Sequence, residues 1–118
     1  MSGVLTFHAI DTYHGQTVGT LDVDVRFANG DEYQPLTHFR TARNGRSDGA
    51  VLEGDAFRAG RYELVLDVGG YFASLGVAMP QQSFLDRVPL RFGVADAHER
   101  YHIAVVFGPW SYAYYRGS

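Results

Sequence analysis

Two histidines and an arginine in this 118-residue sequence stand where they could act on a substrate. His8 and His102 each interrupt an alternating apolar pattern on the face opposite its main apolar row, so pairing of their strands would bring both imidazoles onto one surface. An imidazole ionises near neutral pH and can therefore take a proton from water. Arg46 directly follows the tight-turn signal Asn44-Gly45, and a cation held in this way could bind an anionic ring. The patterns also allow two unrelated histidines and a solvated arginine.

The C-terminal segment 101–118, YHIAVVFGPWSYAYYRGS, brings further candidates. Its first part is predicted to form a strand, and a second strand follows the Gly108-Pro109 break and runs to the end. Chain ends are usually frayed and polar, so four tyrosines and a tryptophan in this segment indicate that the end is held down. An ordered end would bring Arg116, the Ser118 hydroxyl and the α-carboxylate together. The alternative is a strand that finishes in a loose Arg-Gly-Ser tail.

Composition narrows the classes of function. The length suits one domain, which we place at residues 1–118, and a chain of this size gains stability from association. The net charge of −3 includes no basic surplus, so nucleic acid is not a predicted partner. The absence of cysteine removes disulfides and thiolate chemistry. No apolar run is long enough for a membrane span, and MSGVLTFHAI lacks the features of a signal peptide, so we expect a cytoplasmic protein without a membrane partner.

Alternation of apolar and polar residues predicts strands along most of the chain. GGYFASLG at 69–76 breaks the two-residue period and can hold about two helical turns, and Pro89 indicates an edge strand or a bulge. Seven or eight short strands with regular turns and at most one short helix predict an all-β fold, a two-sheet antiparallel sandwich. The predicted strands cover residues 4–10, 21–27, 36–43, 61–68, 88–94 and 101–107, and a last strand follows Gly108-Pro109.

Two other chemistries have weaker support in the sequence. His14, His38 and His98 lie beside turns or loops, where we expect them at the surface. No HxH or HExxH pair occurs, and no acidic residue shares a strand face with either candidate histidine, so no metal site is predicted. A covalent route through Ser118 would use an incomplete triad without an orienting carboxylate, on a poorly anchored terminal residue.

Four motifs in order resemble a known family over nearly the whole chain. On these motifs the sequence resembles the 5-hydroxyisourate hydrolases, transthyretin-like enzymes of urate degradation, and the terminal tetrapeptide separates those enzymes from transthyretin proper. The four are LTFHAIDT at 5–12, NGRSD at 44–48, YHI at 101–103 and YRGS at 115–118, with the shorter matches LEG at 52–54, YEL at 62–64, FLD at 84–86 and PWSY at 109–112.

The chain departs from the family pattern at three places. Gln16-Thr17-Val18 follows the first turn where a proline-alanine pair is common, and Ala104 replaces a common proline. Before the tetrapeptide, Ala113-Tyr114 replaces a commoner serine-threonine pair. None of these changes removes a functional side chain, but a tyrosine at position 114 could alter a pocket wall or an interface.

The resemblance implies a prealbumin-like sandwich of about eight strands and one short helix, assembled as a homotetramer, a dimer of dimers, with active sites in the channel between the dimers. It implies hydrolysis of 5-hydroxyisourate to 2-oxo-4-hydroxy-4-carboxy-5-ureidoimidazoline by water attack on a ring amide carbonyl, with no cofactor. The expected catalytic residues are His8 and His102, which would position and deprotonate water, and Ser118, through its hydroxyl or the terminal carboxylate. The expected substrate-binding residues are Arg46, Tyr115 and Arg116.

Which histidine is the base stays open at this point. Two alternative functions also stay open. The first is a transthyretin-like carrier that holds a small aromatic ligand in the tetramer channel without turning it over, and the second is a structural β-sandwich module. A carrier has no chemical need to keep two imidazoles, a guanidinium and a terminal serine together, which favours the enzyme.

Overall fold

The computed structural model describes residues 3–117, so the expectations for Ser118 concern a residue outside the described part of the chain. The predicted strands are present, although the fourth strand covers 32–40 where the sequence predicted 36–43. In chain order the elements are β1 (Val4–Asp11), β2 (Gln16–Thr17), β3 (Asp22–Asn29), β4 (Glu32–Arg40), β5 (Leu52–Glu53), a 3-10 turn (Gly54–Ala56), β6 (Gly60–Asp67), α1 (Val68–Ser74), β7 (Arg87–Val94), β8 (Arg100–Phe107) and β9 (Tyr112–Gly117).

The strands form two sheets that pack face to face, as predicted. The first sheet has the order β2-β1-β8-β9, with β5 also paired to β1, and the second has the order β4-β3-β6-β7. Strand β7, which contains Pro89, lies at an edge, where the missing N–H is tolerated. The sandwich is not purely antiparallel, because β1 and β8 pair in parallel. Parallel neighbours need a long connection between them, and most of the chain lies between these two strands.

The core fills the space between the inner faces of the sheets. Each fully buried aliphatic or aromatic side chain contributes roughly 1.5–3 kcal/mol to stability. Because alternate residues of β1 and β8 point into this core, the residues between them are left on the outer face of the first sheet. The core residues, each at most 6% exposed, include Leu5, Phe7, Ala9, Val23, Val25, Tyr62, Leu64, Leu66, Leu90, Tyr101, Ile103, Val105 and Phe107.

The short helix α1 lies close to its predicted position, since it covers 68–74 where the sequence predicted 69–76. The Asp67 carboxylate caps its start by accepting a hydrogen bond of 3.0 Å from the Gly70 N–H. Tyr71 and Phe72 on the helix are buried against the sandwich. Among the described residues, no helix is long and apolar enough to cross a membrane.

A buried carboxylate ties the end of β1 to this helix. Asp11 is fully buried and accepts hydrogen bonds from the backbone N–H groups of Tyr13 and His14, from His14 Nδ1 at 2.6 Å and from the Tyr71 hydroxyl at 2.9 Å. Burial raises the pKa of this carboxyl, but the hydrogen bonds from His14 and Tyr71 outweigh it and leave the pKa below the ordinary value. The strand that carries His8 is therefore anchored at its C-terminal end.

We expect Tyr71→Phe to lower the free energy of unfolding by about 1.5–3 kcal/mol, because it removes a donor from a buried charged acceptor. The exposed Tyr13→Phe is the matched control and should change stability by less than about 0.5 kcal/mol. The Asp11 pKa is lowered in the folded state, so this contribution is present above about pH 4 and is lost as the pH falls through the folded pKa. Urea denaturation at pH 7 and in acid, at matched protein concentrations, measures both effects. Equal losses for the two variants would contradict the role of Asp11.

Candidate active site

The parallel register of β1 and β8 brings the two candidate histidines together. Thr6 lies opposite His102, and His8 lies opposite Ala104. All four residues belong to the outer face of the first sheet, so the imidazoles are diagonal neighbours. Their ring centroids are 6.4 Å apart, and the ring planes differ by 25°. The expectation that both histidines share one surface is met by this geometry.

Strand β9 completes the surface on the other side of β8. Gly117 lies opposite His102, and Tyr115 lies opposite Ala104. Tyr115 therefore shares the outer face with the histidines, and its side chain is 61% exposed. The small Ala104 side chain lies between His8 and Tyr115 in this row, with a histidine on one side and an aromatic residue on the other.

Arg46 reaches this surface from a turn that is fixed against β1. The Ala9 N–H donates to the Gly45 carbonyl at 2.9 Å, and Arg46 forms an isolated antiparallel bridge with His8. Gly45 has φ +81°, and a Cβ at this position would lie 2.5 Å from the Ala9 carbonyl oxygen. Only glycine allows this conformation and this close approach, so Gly45 sets the position of Arg46 beside His8.

Burial and the nearby guanidinium lower the pKa of both imidazoles and so favour their neutral forms. Burial lowers the pKa of His8 and of His102 below the ordinary histidine value, and the positive charge of Arg46 lowers both further. A hydrogen bond with the backbone of Asn44 partly opposes this effect at His8. Repulsion from the protonated form of His8 and from Arg100 adds to the effect at His102. Two neutral imidazoles beside a cation can accept a proton from water at neutral pH and bind an electron-rich group.

The structure does not bring Arg116 into this group. Its side chain lies on the opposite face of β9, where Nη2 is 3.1 Å from Glu99 Oε1 and 2.8 Å from the Arg100 carbonyl oxygen. The guanidinium also stacks over the Tyr101 ring, 3.7 Å from its centroid. These contacts hold β9 against the start of β8, and the substrate-binding role expected of Arg116 stays a prediction. Ser118, the third expected catalytic residue, lies outside the described residues.

Tyr114, the bulky departure from the family pattern, also points away from the histidines. Its hydroxyl donates to the Arg91 carbonyl oxygen at 2.9 Å, so it links the edge strand β9 of the first sheet to the edge strand β7 of the second. The side chain is 37% exposed. Within this chain, Tyr114 therefore closes one side of the sandwich and does not line the surface that carries His8.

One residue of the site, Thr6, was not predicted from the sequence. Its Oγ1 lies 2.7 Å from His102 Nδ1. Alternation already placed Thr6 on the same face as His8, but only the parallel pairing of β1 with β8 puts it beside His102.

Within residues 3–117, no three side chains of the metal-binding types gather where they could hold a metal ion.

A two-sheet sandwich with one short helix and a histidine-lined outer face defines a transthyretin-like protein. The chain belongs to the HIUase/Transthyretin family, whose model matches residues 5–117. The 5-hydroxyisourate hydrolase 2 of Rhizobium meliloti (strain 1021) is 44% identical over 117 residues, which cover 99% of this chain and 98% of the relative.

Two solved structures are similar in fold. The crystal structure of (S)-allantoin synthase has a TM-score of 0.93 and 35% identity, and the match covers 99% of this chain but 44% of that longer chain. The structure of Klebsiella pneumoniae 5-hydroxyisourate hydrolase has a TM-score of 0.80 and 24% identity over 100% of both chains. Both likenesses support the predicted transthyretin-like fold.

We expect Arg46→Gln to raise the pKa of both His8 and His102, because it removes the positive charge that disfavours their protonated forms. The control is Arg43→Gln, which removes a charge from the same exposed turn and should leave both values unchanged. NMR titration of the histidine ring protons measures the effect. Unchanged pKa values in Arg46→Gln would show that the guanidinium is too far from the imidazoles to act on them.

Proposed function

We propose that this chain hydrolyses 5-hydroxyisourate by opening a ring amide to give 2-oxo-4-hydroxy-4-carboxy-5-ureidoimidazoline. The observation that carries the proposal is the group of two imidazoles and a guanidinium, from His8, His102 and Arg46, on one face of the sheet. The lowered pKa of both imidazoles suits them to act as bases. The hydrolase name of a full-length relative at 44% identity supports the same reaction.

The imidazoles supply the acid–base chemistry of this reaction. One neutral ring accepts a proton from water as the water oxygen bonds to the amide carbonyl carbon. The carbon–nitrogen bond of the ring then breaks, and the proton passes to the departing nitrogen. General acid–base assistance of this kind contributes roughly 10²–10⁴ in rate. With the rings 6.4 Å apart, His8 and His102 are close enough to share a water or a substrate edge between them.

Binding and orientation fall to the groups around the imidazoles. The planar fork of Arg46 suits the negative or carbonyl edge of the substrate and stabilises charge that develops on the carbonyl oxygen. The exposed ring of Tyr115 offers an aromatic face to a planar heterocycle. Ser118 follows Gly117, which pairs with His102, and in this proposal its hydroxyl or the terminal carboxylate completes the hydrogen bonds around water or substrate. Arg116 contributes by holding β9 in place through Glu99.

We also propose that the chain assembles as a homotetramer, a dimer of dimers, in which neighbouring copies cover the outer face of the first sheet. The strand residues at the centre of this face are His8, Ile10, Ala104, Val106 and Tyr115, none of which is an Asp, Glu, Lys or Arg. The charge of Arg46 lies beside them on the neighbouring turn. A shared channel would exclude water from an otherwise open site and strengthen its electrostatics.

The outer face of the second sheet is different in character. It carries the ion pairs Arg40–Asp22 at 2.9 Å, Arg87–Asp24 at 2.7 Å and Arg91–Glu63 at 2.8 Å. Burying such a face against a partner would desolvate many charges. The contrast favours assembly through the first sheet.

We expect His102→Ala to lower kcat by at least about 10², because one member of the acid–base pair is lost. The matched control is His98→Ala, which truncates a histidine whose side chain is 79% exposed, and it should keep full activity. Urate oxidase can generate 5-hydroxyisourate in a cuvette, and added protein either speeds its ultraviolet decay or does not. No acceleration by the parent protein, together with tight binding of an aromatic ligand, would favour the carrier. An active parent with an equally active His102→Ala would refute the site.

We expect Val106→Glu to dissociate the tetramer, since it buries a charge at the centre of the covered face. The matched control is Leu36→Glu on β4, because Leu36 is an exposed apolar residue of the second sheet, 41% exposed. Size-exclusion chromatography with light scattering gives the particle mass, and circular dichroism checks the fold. A monomeric parent that is fully active would overturn the shared-channel proposal.

A further inference from the structure

The His102 ring is held at both edges by one row of residues that runs across three strands. On the β1 side, Thr6 Oγ1 lies 2.7 Å from Nδ1. On the β9 side is Gly117, where an added Cβ would lie 2.8 Å from Cδ2 and 3.7 Å from Cγ of the ring. The pairings Thr6↔His102 and His102↔Gly117 fix this row. The ring therefore has a polar partner on one edge and room, without a side chain, on the other.

This arrangement decides which ring nitrogen can act on a substrate. Cδ2 faces the glycine and Nδ1 faces the threonine, so Nε2 is the nitrogen left at the free end of the His102 ring. A neutral imidazole carries one proton, on either nitrogen, and a threonine hydroxyl can donate or accept. If Nδ1–H donates to Oγ1, Nε2 keeps its lone pair and can act as a base. If the hydroxyl donates to Nδ1 instead, Nε2–H is a donor.

The surroundings favour the first of these two arrangements. Of the charges that act on His102, the Arg46 guanidinium has the largest effect, and this group offers only donors and a positive charge. A lone pair at the free end of the ring is stabilised by such a neighbour, whereas an N–H is not. The proton is then on Nδ1, where Thr6 Oγ1 accepts it. The Thr6 hydroxyl proton remains available to water or substrate.

We propose that Thr6 is a positioning residue that accepts a hydrogen bond from His102 Nδ1–H, and that Gly117 allows this orientation of the ring by leaving space at its Cδ2 edge. The catalytic role of this contact rests on the proposed function, but the assignment of the His102 proton to Nδ1 does not. The same contact explains why position 117 of the terminal tetrapeptide is a glycine, because any side chain there would clash with the His102 ring.

The first test needs no substrate. In ¹⁵N-labelled parent protein at neutral pH, long-range ¹H–¹⁵N NMR should show His102 with a protonated Nδ1 and an unprotonated Nε2. Thr6→Val keeps the shape of the side chain but removes the acceptor, so it should give a mixture of the two forms, while Thr6→Ser should restore the parent spectrum. Thr37→Val on β4 is the matched control and should leave His102 unchanged. A parent protein with the proton on Nε2, or a Thr6→Val spectrum identical to the parent, would overturn the proposal.

The second test measures turnover of 5-hydroxyisourate by the same variants. Outer partners of catalytic and metal-bound histidines typically contribute about 10–100-fold. Thr6→Val should therefore lower kcat by about 10–100-fold with little change in KM, and Thr6→Ser should recover most of this loss. Gly117→Ala should also lower kcat, because it displaces the ring. If the parent shows the expected proton position but no hydrolysis, the proposed function fails while the contact stands. A Thr6→Val enzyme as active as its serine counterpart would refute the positioning role.

Discussion

The parallel pairing of β1 with β8 is the constraint on which the rest of the site depends. It sets Thr6 opposite His102 and His8 opposite Ala104, so one register defines both the spacing of the imidazoles and the partner of one of them. A slip of one residue would turn His8 into the core, and a slip of two would separate the rings or place them side by side. Core residues on alternate positions resist both slips, because each slip would leave buried aromatic and aliphatic side chains without their packing partners.

Small residues then shape the surface that the strands provide. Gly45 allows the turn that carries Arg46 to approach β1, Ala104 places only a methyl group between His8 and Tyr115, and Gly117 makes room for the His102 ring. Each larger side chain of the site stands next to one of these small ones. Because two of the three strands are central or anchored within the sheet, the geometry rests on rigid elements, which hold functional groups more accurately than free loops do.

Much of this arrangement could be predicted from the sequence. The rest could not, because local patterns do not report which strands pair or in which register. Alternation identified the strands and placed His8 and His102 on non-core faces, and Asn44-Gly45 located the turn before Arg46. Alternation also put Tyr115 and Arg116 on opposite faces of β9, so both could not face one site, but only the pairing of β9 with β8 decides which of them does. The contact between Thr6 and His102 joins residues 96 positions apart, and no local pattern reports such a register.

The charge of Arg46 constrains how the proton can move. Burial and then this charge lower the pKa of both imidazoles, which keeps them available as bases at neutral pH but also makes each a poor place for a proton to remain. A proton taken from water would therefore leave the ring quickly, and the most basic acceptor formed in ring opening is the departing nitrogen. In the proposed reaction, the same cation would both orient the substrate and drive the proton forward. Two neighbouring imidazoles shorten that transfer, which gives a reason for His8 and His102 to lie on adjacent strands.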